Sequence, residues 1–108
     1  MIQVSFSELL NGFVFECDGH AGMAPKGHDL VCAAASALCL ALHGRLRELQ
    51  SEGEIRISQY SVSDGYMAVA CEYTGGAISW DRAYSAVKTV LSGFEAVEEL
   101  YPEYIILL

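Results

Sequence analysis

IQVSFSELLNGFVFECDGH, residues 2 to 20, holds two runs of alternating apolar and polar side chains on either side of an Asn11-Gly12 pair. Ile2, Val4 and Phe6 alternate with Gln3, Ser5 and Ser7, and Phe13, Phe15 and Cys17 alternate with Val14, Glu16 and Asp18. Successive side chains of a strand point to opposite faces, so period two on both sides of a turn signal predicts a β-hairpin. Phe13, Phe15 and Cys17 then face a core, while Val14, Glu16, Asp18 and His20 face the other way.

Working outward, Leu30 to about Gln50 is rich in alanine and leucine and predicts a helix, with Asp29 as its N-cap and Arg45 and Arg47 suited to its negative end. Ser51-Glu52-Gly53 stops it. Two strands follow over 54–62 and 66–74, joined by a turn at Ser63-Asp64-Gly65, with Met67, Val69, Cys71 and Tyr73 alternating. From about Ser79, the residues Trp80, Tyr84, Val87, Leu91, Phe94 and Val97 recur at helical spacing until Pro102. Tyr104 to Leu108 completes the order ββαββαβ as a short buried strand. This is an α+β fold, an antiparallel-rich mixed sheet with two helices layered on it in two or three layers. Its 108 residues, 53% hydrophobic, suffice for one domain over 1–108 and no second.

With 14 acidic against 6 basic residues the formal charge is -8, which repels a nucleic-acid backbone and attracts a basic protein or peptide. Cys17, Cys32, Cys39 and Cys71 form no C-x-x-C pair and no small secreted framework, which suits reduced thiols in the cytoplasm. The first residues lack the basic and apolar regions of a signal peptide. The apolar run Leu30 to Leu42 falls short of the roughly 20 residues that cross a bilayer, so no membrane partner is expected. Only Ser36 is polar in that run. A helix on one sheet face should show solvent a polar stripe, so either the chain's own loops or a second copy covers the surplus apolar surface, and of the two a symmetric dimer is the reading carried forward.

The chemistry concentrates between His20 and Ser36. An Asp29 cap puts Cys32 third in the helix, where unpaired backbone N–H groups favour a thiolate. A helix terminus supplies roughly 0.3–1 kcal/mol against 1.36 kcal/mol per pKa unit, so the dipole alone gives partial ionisation. A strongly activated thiol needs an imidazole beside it. His20 follows a strand that the sheet fixes, and the next helix can return beside it, placing imidazole and thiol at hydrogen-bond range. His28, next to the cap, is less constrained and is expected as a solvent-facing or substrate-contacting residue. Asp29 either caps the helix or orients the histidine, and Gly19, Gly22 and Gly27 mark a loop able to close over a substrate.

Other chemistries fit less well. A phosphatase-type cysteine would need an arginine six residues on, where Leu38 stands. Cys17 and His20 are three apart and Cys39 and His43 four apart, spacings open to zinc. Strand alternation sends the first two to opposite faces, and the second pair lies inside a helix, so no metal and no cofactor is expected. The open choice is between a thiol enzyme and a non-catalytic peptide-binding protein.

Gly19-His20-Ala21, followed by Gly27-x-Asp29-Leu30-Val31-Cys32-Ala33-Ala34-x-Ser36, resembles the pattern of the bacterial ribosomal-processing cysteine proteases, and the element order is similar to that family's fold. The resemblance implies a homodimeric endopeptidase that removes the N-terminal extension of large-subunit ribosomal protein twenty-seven, with His20 and Cys32 as its catalytic pair. It implies an apolar, aromatic-rich substrate segment before the cut, read by a loop that includes Gly22, Met23, Gly27, His28 and Ser36. Met23 departs from the aromatic residue frequent there in relatives. The rival reading is a ribosome-associated peptide-binding protein in which Cys32 is a small helix-start residue.

Overall fold

A computed structural model describes Met1–Leu108. The chain runs β1 (Ile2–Leu9), β2 (Gly12–Asp18), α1 (Leu30–Ser51), β3 (Ile55–Ser63), β4 (Tyr66–Tyr73), α2 (Ala77–Leu100) and β5 (Ile105–Leu107). The five strands form one open mixed sheet in the order β3-β4-β2-β1-β5. Its pairs are antiparallel except β1 with β5.

Two layers result, both helices sharing one face of the sheet. Ile2, Val4, Phe13, Phe15 and Cys17, the side chains that the alternation assigns to a core, are buried with Val69 and Cys71 of β4. Above them lie Val31, Ala35, Cys39, Leu42, Leu46 and Leu49 of α1 and Ala83, Val87, Val90 and Phe94 of α2. Phe15 meets Phe94 with ring centroids 5.8 Å apart. The opposite sheet face carries small and polar side chains, among them the Tyr66 hydroxyl donating to Glu16 at 3.0 Å and the Arg56–Glu72 pair at 2.7 Å.

Local readings change in instructive ways. The first hairpin turns at Leu10–Asn11, because Leu9 pairs with Gly12, and no non-glycine residue has positive φ. Gly12 therefore opens β2 and does not form the turn. It is glycine because a Cβ there would run into the Cys71 carbonyl oxygen of the neighbouring strand. Helix α1 extends through Ser51, leaving Arg45 and Arg47 a turn inside and no basic residue in the last turn. Helix α2 begins at Ala77; Ser79 is the buried residue there, and Trp80 lies outside, stacked on Tyr84 at 4.8 Å. Of β5 only Ile105 is fully buried, so it is an edge strand with an exposed end.

By length and composition the whole of α1 passes for a membrane span, unlike its apolar run alone. Its buried residues recur along one stripe against the sheet, the pattern of a core helix.

Strand β3 carries one irregularity, between Ile57 and Gln59. Ile55 and Ile57 pair with Tyr73 and Cys71, whereas Tyr60 and Val62 pair with Val69 and Met67. The extra residue, Ser58, moves the apolar positions from odd to even numbers and keeps both pairs on the helix side.

Gly12→Ala should lower stability by roughly 1–3 kcal/mol, the range for forcing atoms into a packed site. Denaturant titration checks this, with loss of the midpoint at an unchanged slope as the expected result.

Candidate active site

The connection from β2 to α1 spans 19–29 and is built around one carboxylate. Asp29 is 7% exposed, and its Oδ1 accepts the Cys32 backbone N–H at 3.0 Å. Its Oδ2 accepts the N–H groups of Met23 at 2.8 Å and Ala24 at 3.2 Å. Hydrogen bonds to an ionised acceptor favour its charged form, so these donors, Cys32 first, hold the Asp29 carboxyl below its ordinary range. Asp29 is thus a helix cap and a loop anchor, and it makes no bond to His20.

Cys32, the third residue of α1, is half-buried, while Cys17, Cys39 and Cys71 are buried. Its Sγ receives the backbone N–H of Ala21 at 3.5 Å. Contact with Cys17, and then burial, raises the Cys39 thiol, and burial pushes Cys71 up to about 12. Cys32 is the thiol that solvent reaches most easily.

His20 and Cys32 line one cleft of about 710 Å³. No hydrogen bond joins them, contrary to the range the sequence predicts. The imidazole instead lies on the β3–β4 turn, where Nε2 is 3.9 Å from Asp64 Oδ2, and the thiol takes the neighbouring Ala21 N–H. Gly22, Gly27, Asp29 and Ser36 line the same cleft. Met23 does not; it packs against the core. His28 is exposed outside the cleft, its N–H bonded to Pro25.

The far wall is apolar, with Leu40 of α1 and Tyr60, Val62 and Met67 of the second hairpin. Leu40 is 67% and Val62 59% exposed, large apolar surfaces turned toward solvent at the same place. Sequence reasoning missed Tyr60 and Val62 as site residues. Their signal was the switch from Ile55 and Ile57 to Tyr60 and Val62, a change of phase that marks a bulge. It also missed the Asp64-Gly65 turn beneath His20, which was legible only as a turn.

The residues spaced for zinc separate: Cys39 contacts Cys17, and His43 stacks on Tyr60 at 3.7 Å. Burial there, and then Arg47, lowers the His43 pKa.

The model of the cysteine protease Prp family matches residues 1–106. The chain belongs to that family. As a Prp-family member it is a cysteine protease, which sets aside the non-catalytic reading. Among solved structures, the S. aureus ribosomal processing protease Prp with a covalently linked product peptide is 28% identical, with a TM-score of 0.74, covering 99% of this chain and 97% of that one. The S. aureus Prp with a substrate peptide is 26% identical, with a TM-score of 0.66 and coverage of 100% and 98%. SMU.848 from Streptococcus mutans is 28% identical, with a TM-score of 0.67 and coverage of 99% and 91%. No curated protein matches the chain by sequence.

Because the Asp29 pKa is depressed on folding, its contribution to stability is present above about pH 4, the ordinary carboxylate value, and is lost as pH falls through the folded-state value. In Asp29→Asn the Oδ1 cap has a neutral substitute, but an amide nitrogen cannot accept from Met23 and Ala24. This variant should be less stable at pH 7, with a smaller difference from the parent near pH 2. Thermal melts across pH check the convergence.

Proposed function

We propose that this protease is an endopeptidase that processes a ribosomal protein, removing the N-terminal extension of large-subunit ribosomal protein twenty-seven, with Cys32 as nucleophile and His20 as base. The observation that carries the assignment is that Cys32 alone among the four cysteines is not buried, and stands in the cleft that also holds an imidazole. The ribosomal substrate rests on the likeness to the S. aureus ribosomal processing protease. The apolar wall of Leu40, Tyr60, Val62 and Met67 suits an apolar, aromatic-rich segment before the cut. The formal charge of -8 suits a basic ribosomal precursor in the cytoplasm.

Acyl transfer follows from this placement. His20 takes the Cys32 proton, and the thiolate attacks the scissile carbonyl to form a tetrahedral adduct. Collapse expels the amine, which leaves with the proton from His20, and a thioester remains on Cys32. Water, deprotonated by His20, then releases the carboxylate product and restores the thiol. Hydrogen bonds of catalytic pairs often tighten only with substrate in place, so the separate resting partners of His20 and Cys32 are compatible with this route. The Ala21 N–H already points at Sγ, the atom that attacks. The Cys32 N–H is occupied by Asp29 and is not free to bind the oxyanion. Gly22, Gly27 and Ser36 line the substrate cleft in this reading, and His28 stands outside it.

A second copy of the chain completes the proposal. Ala37 and Ala41 are exposed on α1 beside Leu40, a ridge of small residues that lets two helices approach closely.

Incubation with the extended ribosomal protein, followed by mass measurement, is the test; an uncut precursor refutes the substrate. Cys32→Ala should abolish cleavage with the fold intact. His20→Ala should lower it by about 10²-fold or more, the range of general acid–base catalysis, while His28→Ala and His43→Ala stay near the parent rate. Iodoacetamide should label Cys32 before the other three thiols. Ala37→Glu should shift the sedimenting mass from two chains toward one, and a parent chain already single at micromolar concentration refutes the dimer.

A further inference from the structure

The His20 ring has a seat that neither the family pattern in the sequence nor the helix cap supplies. It lies across Gly65 in the turn between β3 and β4. A Cβ at that position would come within 2.8 Å of Cε1 and 2.9 Å of Cδ2, and closer still to Nε2. Contacts under about 3 Å between carbon atoms are strongly repulsive, so only a glycine admits the imidazole in this place. Gly65 also has φ +72, a conformation open to glycine.

Three further contacts converge on the same turn. The Gly19 N–H donates to the Gly65 carbonyl at 2.7 Å, fixing the backbone one residue before His20. Asp64 Oδ2 stands 3.9 Å from His20 Nε2, within ion-pair range. Lys26 Nζ reaches the same Oδ2 at 3.5 Å, tying the 19–29 connection to the turn. On the other side the Met1 nitrogen donates to the His20 carbonyl at 2.7 Å.

We infer that the Asp64-Gly65 turn positions His20 for the reaction, Gly65 as the surface on which the ring rests and Asp64 as the carboxylate that faces the imidazolium formed when Cys32 gives up its proton. The inference rests on the assignment of His20 as base. Both line the cleft beside His20, and the role inferred for them is that of positioning residues acting through its ring. Asp64 holds the place that the sequence offered to Asp29. With Nε2 turned to Asp64, Nδ1 is the nitrogen left to exchange a proton with the thiol.

The test is a kcat and KM comparison on the extended ribosomal protein. Gly65→Ala should lower kcat at least about tenfold with KM little changed, since displacement of a catalytic group by about 1 Å can cost 10²-fold. Gly53→Ala is the control for backbone strain: Gly53 has φ +77 in another turn, with nothing within 4 Å of a Cβ. It should share the melting-temperature loss and keep the parent kcat. Gly65→Asn, whose side chain tolerates positive φ, carries the test if the alanine variant does not fold. Asp64→Asn leaves the backbone alone and should lower kcat about two- to fivefold, the size of a partly exposed ion pair, with Asp64→Glu restoring it. Parent kcat in Asp64→Asn or in a folded Gly65 variant overturns the inference, as does an equal kcat loss in Gly53→Ala. Full activity in His20→Ala would instead remove the assignment of the base, so the two failures are distinguishable.

Discussion

The Asp29 carboxylate is the interaction on which the site depends. The 19–29 connection has few backbone hydrogen bonds of its own, and three N–H groups that would otherwise be orphaned in partly buried surroundings converge on two oxygens. One oxygen serves the helix and the other the loop. The same residue therefore fixes where α1 begins, how the loop curves back and, through both, that Ala21 lies over the Cys32 sulfur. This arrangement has an electrostatic cost. An anion within one turn of Cys32 offsets the positive helix end that the sequence credits with activating the thiol. In the proposed mechanism activation therefore falls to His20, which makes the placement of the imidazole the decisive variable.

That placement comes from the sheet. His20 lies just past the end of β2, and β2 pairs with β4 through Asp18 and Tyr66, so the turn preceding Tyr66 is brought under the imidazole by strand register alone. A one-residue slip would reverse every side chain of β2 and put Phe13 and Phe15 in solvent. The burial of those two rings against both helices thus holds the register that aligns His20 with Gly65. Core packing and site geometry are one constraint here.

The fold was legible because its signals are local and periodic: two hairpins of alternating side chains, two helical runs, and a cap before the first. The helix start at Leu30 and the Asp29 cap were read directly, since an aspartate before an alanine-rich run has few other uses. What was not legible required two distant segments at once. Gly12 looks like half of a turn, and only its strand neighbour reveals a close approach to Cys71. Asp64 and Gly65 look like an ordinary turn, and only the β2–β4 pairing brings them to His20. Gly22 and Gly27 of the loop and Ser36 of α1 line the cleft, whereas Met23 packs against the core.

Helix α1 shows how composition overstates an unsatisfied surface. Its apolar residues divide among separate environments: Val31, Ala35, Cys39, Leu42, Leu46 and Leu49 face the sheet, Leu38 packs on Gly93 of α2, and Ala33 and Leu40 line the cleft. Little more than Leu30, Ala37 and Ala41 remains for a partner chain. Alanine offers little apolar area, so a contact through this ridge gains chiefly from how closely two helix backbones approach. Leu40 stands beside the ridge while lining the cleft. A second copy seated on Ala37 and Ala41 would border the apolar wall against which the substrate is proposed to lie, so assembly and peptide binding would share one edge of α1.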